Sequence, residues 1–202
     1  MKMITSTSTT KSEQTRQHIL AEALQIATSK SLNDVTIGEL AKASGLSKSG
    51  VYAHFISKEN LQVAIIDYAS ELFQRKVISG LSSQLTPIEL LTALTNRWLN
   101  WYEGHAKKCL FITATIEFND RLGTIRDALH HQLNRWIDFL ESIANIAITD
   151  GTFRVGSTSQ QFVFELYSLY LGSQKYYWLN RESSERLLFE RGFDKLIEQY
   201  TL

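Results

Sequence analysis

One proline and one cysteine occur in 202 residues, with 10 glycines and no excess charge, since Lys+Arg and Asp+Glu each total 21. A lone cysteine excludes a disulfide within the chain and any cysteine-based zinc cluster. Zero net charge argues against a histone-like coating of DNA or a polybasic membrane grip, though not against a local basic site. A single proline points to long uninterrupted helices. No apolar core follows the positive start, as a secretory signal would need, and no window approaches the roughly 20 apolar residues of a membrane helix. A cytoplasmic protein without membrane partners is expected.

What is present is helical periodicity. Residues 1–11 read as a flexible tail rich in Ser and Thr. Ser12 is a suitable N-cap, and Ile19, Leu20, Ala23, Leu24 and Ala27 trace one face of a four-turn helix. The polar run 29–34 ends it. Thr36, with Glu39 three residues on, has the spacing of a capping box. The short helix that follows stops at Ser44-Gly45, where glycine can adopt a left-handed conformation. Ser47 caps another short helix to Phe55, and Ser57 opens a longer one to about Ser79. Beyond it, about five helices are expected: one starting at Thr86-Pro87, one over 107–118, one over 124–148, and two over 158–179 and 184–200. Only 152–155 alternates like a strand. The chain therefore reads as all-α, with residues 12–60 a helix-turn-helix domain and 61–202 a second helical domain.

Residues 36–55 carry the most informative pattern. Two short helices meet at a tight turn containing Gly45, with small Ala41 at their crossing and Leu46 and Val51 locking the second onto the first. Ser47, Lys48, Ser49, Tyr52 and His54 stay outside the packed stripe. Short donors at a helix N-terminus can approach base edges or phosphates, while Tyr52, His54 and Lys58 offer donors at phosphate reach. Residues 1–60 hold seven Lys/Arg against five Asp/Glu, a small basic head on a slightly acidic body.

The stretch from Thr36-Ile37-Gly38-Glu39-Leu40-Ala41 through Gly45-Leu46-Ser47-Lys48-Ser49-Gly50-Val51-Tyr52-Ala53-His54-Phe55 to Ser57-Lys58-Glu59-Asn60-Leu61 resembles the DNA-binding signature of the tetracycline-repressor (TetR) family. The resemblance covers about residues 12–65. It implies a homodimer, a recognition helix in each of two major grooves of a palindromic double-stranded operator, and a C-terminal helical domain for a small-molecule effector and dimerisation. By position, Thr36, Tyr52, His54 and Lys58 would hold phosphates, and Lys48, Ser49 and Gly50 would face bases. Two positions depart from the pattern. Ser31 stands where a glycine is usual, which predicts a differently capped turn, and Gly38 offers no base-reading side chain.

The second domain is rich in aromatics. Most of them must be core, but Trp98, Tyr102, Phe111, Thr115, Phe118 and Tyr167 are the residues expected to line an effector cavity. Phe164, Leu171, Leu187, Leu188 and Leu196, on the last two helices, are expected at a dimer interface built as a four-helix bundle. The run Lys107-Lys108-Cys109-Leu110 to Glu117-Phe118 is similar to a subgroup of these regulators in which a Gly-Cys stretch opens the sixth helix. Here Lys108 replaces that glycine. Because the subgroup includes oxidant and electrophile sensors, Cys109 is an alternative trigger, with Lys107 and Lys108 beside it to favour thiolate. Its other reading is a small buried apolar residue.

An enzyme is not expected, nor a cofactor. His105 and Cys109 share a helix face and His130-His131 are adjacent, but neither pair supplies three or four convergent metal ligands. No glycine-rich phosphate loop is present. A helical interaction protein that binds no DNA is the remaining class, and it would not need Thr36, Tyr52, His54 and Lys58 together.

Overall fold

The computed structural model describes residues 10–104, 108–179 and 185–201, with the side chains of Tyr102 and Glu185 also left out. Among the described residues the secondary structure is entirely helical. The helices are α1 (Lys11–Ser29), α2 (Ile37–Ser44), α3 (Lys48–Phe55), α4 (Lys58–Phe73), α5 (Pro87–Glu103), α6 (Leu110–Phe118), α7 (Thr124–Thr149), α8 (Ser159–Trp178) and α9 (Glu185–Thr201).

Local caps explain most of the boundaries. The Oγ1 of Thr36 accepts the Glu39 N–H at 3.2 Å, and the Oγ of Ser47 accepts the Gly50 N–H at 3.1 Å. Each hydroxyl thereby satisfies one of the N–H groups that a helix start leaves without a partner. Gly45 ends α2 at φ 70°, ψ 21°, in the region where only glycine avoids a Cβ clash. Below α4 the backbone widens into a π-helical turn over Gln74–Ile78, closed by the Ser79 N–H on the Gln74 carbonyl.

Three details differ from the sequence reading. Thr10, not Ser12, caps α1, and its Oγ1 accepts the Glu13 N–H at 3.2 Å. Two hydroxyl residues, one on either side of Lys11, fit one rule, and the helix starts after the earlier. Helix α6 begins at Leu110, and of the residues expected at its start Lys107 lies outside the described set. Residues 152–155 form no strand. They are a turn that follows Gly151 (φ 80°), and alternation there reflects one buried anchor, Phe153. Its ring meets Phe162 at 4.9 Å and Tyr200 at 5.4 Å.

Two compact units emerge, and they do not follow the expected cut at residue 60. The first runs to Ser70 and adds Cys109–Leu129, and the second comprises Glu71–Lys108 with His130–Leu202. In the first, Ile19, Leu20, Ala23, Leu24 and Ala27 of α1 are buried with Leu32, Val35, Leu40, Ala41, Val51 and Phe55. Each such leucine, isoleucine, valine or phenylalanine side chain contributes about 1.5–3 kcal/mol on burial. The segment 109–129 belongs with this unit because it is hydrogen-bonded to it: Glu117 Oε2 accepts the Asn33 N–H at 3.0 Å, and the Thr124 hydroxyl donates to Glu59 Oε1 at 2.6 Å.

The core of the second unit is aromatic. Trp98 stacks on Tyr170 with 3.8 Å between ring centroids and meets Trp136 edge-on at 5.1 Å. Phe73 completes the cluster against Trp136 and Trp101, at 5.0 and 5.6 Å.

Candidate nucleic-acid interface

Helices α2 and α3 meet across a three-residue turn held by backbone bonds. The N–H groups of Gly45 and Leu46 both reach the Ala41 carbonyl, the latter at 3.0 Å. Val51 and Phe55 bury the inner face of α3, at 0% and 3% exposure. Because α3 has only two turns, burying that face leaves Ser47, Lys48, Ser49 and Tyr52 on the outside, with Tyr52 55% exposed. Gly50 and His54 are half-buried, and the His54 ring tilts against Phe55 at 6.2 Å. Ser47 and Ser49 share a hydroxyl–hydroxyl bond of 3.0 Å, which orients both at the helix start.

The flanks are tied to this frame. Lys58 donates from Nζ to the Asn33 carbonyl at 2.6 Å while remaining exposed. Gln62, buried at 4%, donates to the Leu32 carbonyl at 3.1 Å. The turn from α1 is capped by Ser31, whose Oγ accepts the Asp34 N–H at 3.1 Å, so a serine does by hydrogen bonding what a glycine would do by conformation. Glu39 is paired with Lys30 at 2.6 Å, an ion pair that holds the Lys30 pKa above its usual value. Thr36, Ser47, Lys48, Ser49, Gly50, Tyr52, His54 and Lys58 thus all lie in this first unit, on or beside α2 and α3.

Sequence reasoning did not single out three features here. Arg16 of α1 lies over the Phe55 ring at 5.3 Å. Asn33 and Glu117 bond across 84 residues. Ile56, between α3 and α4, has φ 63°. Only Ile56 carries a local signal, because a junction between two immediately successive helices needs an abrupt backbone reversal.

The residues expected to bind an effector are not gathered into one compact unit. Trp98 and Tyr167 are neighbours in the second, their centroids 5.8 Å apart. Phe111, Thr115 and Phe118 lie on α6 in the first, where the Thr115 hydroxyl is bonded to the Ile112 carbonyl at 2.8 Å. Phe118 lines a cleft of about 330 Å³ with Lys58, Gln62, Arg121 and Arg126. The Tyr102 side chain lies outside the described residues.

On α8 and α9, Phe164, Leu187 and Leu188 are exposed at 66%, 46% and 43%, and Leu171 is half-buried. Leu196, by contrast, is only 5% exposed within the single chain. A groove of about 580 Å³ runs between the two helices, lined by Phe164, Leu188 and Leu196 among others.

Two family models cover most of this chain. Residues 19–65 match the bacterial regulatory proteins of the tetR family, and residues 87–191 match the tetracyclin repressor-like C-terminal domain. The chain belongs to the TetR family of transcriptional regulators. Among curated relatives, the HTH-type transcriptional regulator AcrR of Shigella flexneri is 39% identical over 49 residues, covering 24% of this chain and 23% of AcrR. SrpR of Pseudomonas putida is 20% identical over 139 residues, or 69% of this chain and 63% of SrpR. The chain thus matches less than two thirds of the length of either relative. Among solved structures, a TetR-family regulator from Cytophaga hutchinsonii superposes with a TM-score of 0.80 at 22% identity, over 97% of this chain and 99% of that one. AibR, solved in complex with isovaleryl coenzyme A and operator DNA, superposes with a TM-score of 0.71 at 22% identity, over 93% and 98%.

Within this TetR-family fold the oxidant-triggered reading of Cys109 is not favoured. Cys109 is the residue before α6 and only 5% exposed, so its sulfur is shielded from a reagent in solution. It matches the small buried apolar residue of the other reading. Among the described residues, no three His, Cys, Asp or Glu side chains converge to hold a metal ion, and no helix is long and apolar enough to cross a membrane.

Proposed function

We propose that this TetR-family protein is a DNA-binding transcriptional repressor that acts as a homodimer on a near-palindromic operator and is released by a small molecule bound in its C-terminal helical domain. The observation that carries the reading is the exposed row Ser47, Lys48, Ser49 and Tyr52 on a helix whose other face is fully buried. Thr36 and Lys58 flank that row. Two such helices one DNA turn apart, roughly 34–36 Å, suit half-sites on one face of a duplex. The phosphate contacts are Thr36, Tyr52, His54 and Lys58, and the base contacts Lys48, Ser49 and Gly50, with Ser47 beside them.

The exposed apolar side chains of α8 and α9 support dimerisation through those helices, since single-chain exposure of Phe164, Leu187 and Leu188 is costly without a partner. The aromatic residues of the body support an apolar effector, and AibR carries isovaleryl coenzyme A on a similar fold. Such couplings are typically about 1–3 kcal/mol, a shift of about 5–150-fold in operator affinity. The cell compartment is the cytoplasm, where the operator is. No catalytic role or cofactor enters this reading.

The test is selection of random duplex DNA by the purified protein at two salt concentrations. Enrichment of a short palindrome that persists at the higher salt supports the regulator. Sequence-blind binding that disappears with salt, or none, overturns it.

A further inference from the structure

Gly38 lies in the first turn of α2 and Lys48 is the first residue of α3. A β-carbon built on Gly38 would stand 3.4 Å from Lys48 Cε and 3.7 Å from Lys48 Nζ. The far end of the Lys48 side chain therefore lies over Gly38, in space that a longer side chain at position 38 would contest. The electrostatic setting of that pose is unfavourable for the free protein. The ammonium lies close to the N-termini of α2 and α3, both of which carry partial positive charge. The acid nearest in sequence on α2, Glu39, is turned to Lys30 at 2.6 Å. Among the described residues, no hydrogen bond or ion pair engages Lys48.

We infer that Gly38 is a specificity-determining residue: its missing side chain is the niche in which Lys48 is held to read one base of each operator half-site. This rests on the DNA-binding reading above. A cation placed at the exposed start of a recognition helix has its natural acceptor in guanine, whose O6 and N7 both accept hydrogen bonds in the major groove. Gly38 acts as a positioning residue through Lys48 and touches no base itself. Alanine fits the niche, because its methyl meets the stem at ordinary van der Waals distance. Valine adds two γ-methyl groups beyond that contact and displaces the stem.

The experiment is the same duplex selection, run with the parent and with Gly38→Ala, Gly38→Val, Lys48→Ala and the double Gly38→Val/Lys48→Ala variant, each checked for its thermal midpoint. The expected result is that Gly38→Ala selects the parent operator. Gly38→Val and Lys48→Ala lose about tenfold preference for guanine at one shared position per half-site, and the double variant loses no more than Lys48→Ala. If valine unfolds α2, Gly38→Leu, with its stronger helix propensity, takes its place. The inference is overturned if Gly38→Val keeps the parent preference, or if the two losses fall at different positions or add. It is also overturned if Lys48→Ala weakens all sequences alike and lowers the salt slope, because Lys48 then holds a phosphate. Failure of the parent to enrich any sequence would instead sink the regulator reading on which this one stands.

Discussion

Glu117 accepts the backbone N–H of Asn33 at 3.0 Å, and the carbonyl of that same Asn33 accepts Nζ of Lys58 at 2.6 Å. The residue that leads into α2 is therefore gripped on both sides, by α6 and by the start of α4. Helix α6 and the helix-turn-helix are in this way linked through a single residue. Replacing Glu117 with alanine leaves that N–H without its charged acceptor. The expected cost is about 1.5–3 kcal/mol in urea unfolding, together with weaker operator binding, because α2 loses part of its support. Unchanged stability and affinity would show that the bond contributes nothing.

Lys58 and Tyr52 are expected to contribute to DNA affinity in different ways. Lys58→Ala removes a charge and should lower the slope of log affinity against log salt by about one, on all sequences alike. Tyr52→Phe removes only a hydroxyl and should weaken binding with the slope retained. Parallel titrations on operator and unrelated duplex at several salt concentrations separate the two.

Ile56 holds φ 63° and ψ −45°, and the Ser57 N–H closes a three-residue turn on the Phe55 carbonyl at 2.6 Å. A β-branched residue in this conformation costs about 1–3 kcal/mol, whereas glycine adopts it freely. The side chain is 67% exposed, so little packing is lost on truncation. Ile56→Gly should raise the unfolding free energy by about 1 kcal/mol, after the entropy cost of glycine is taken off. A fall in the urea midpoint would refute the strain.

On the last two helices, exposure separates two otherwise similar substitutions. Phe164→Asp places a charge on a side chain already open to solvent and should yield a folded monomer that has lost operator affinity. Leu196→Asp buries a charge at a position only 5% exposed and should unfold the second unit outright. Sedimentation together with circular dichroism distinguishes the outcomes, and a dimeric Phe164→Asp protein would remove α8 from the interface.

Acid stability depends in part on the start of α5. The Glu89 carboxylate accepts both the N–H and the hydroxyl of Thr86 at 2.8 Å, and these bonds, the backbone one foremost, hold its pKa below the usual glutamate value. A lowered folded-state pKa contributes stability above the ordinary glutamate value, and that stability is lost as pH falls through the lowered one. Asp150 behaves in the same sense through Thr152. The melting temperature of a Glu89→Gln variant should therefore fall less than that of the parent between pH 6 and about pH 3. Equal falls would exclude the contribution.

The comparison of sequence with structure separates along the range of the interactions. Thr36, Gly45, Ser47 and Pro87 announce their helix boundaries because a cap or a stop is completed within four residues of itself. The recognition row was legible for the same reason: Val51 and Phe55 fix which face of a two-turn helix is buried, and the remaining residues follow by rotation. The choice of Thr10 over Ser12 escaped because two hydroxyls only two positions apart satisfy the same local rule.

Position in sequence alone determined the all-helical class, the capped helix-turn-helix and the polar row it presents. Tertiary structure decided that 109–129 joins the first unit, that Asn33 is held between Glu117 and Lys58, and that Lys48 lies across Gly38. It also buried Leu196 while leaving Phe164 open, although both had been assigned to one interface. These outcomes depend on contacts between segments far apart in the chain, and the path that brings them together is set by the packing of whole helices rather than by any neighbouring residue.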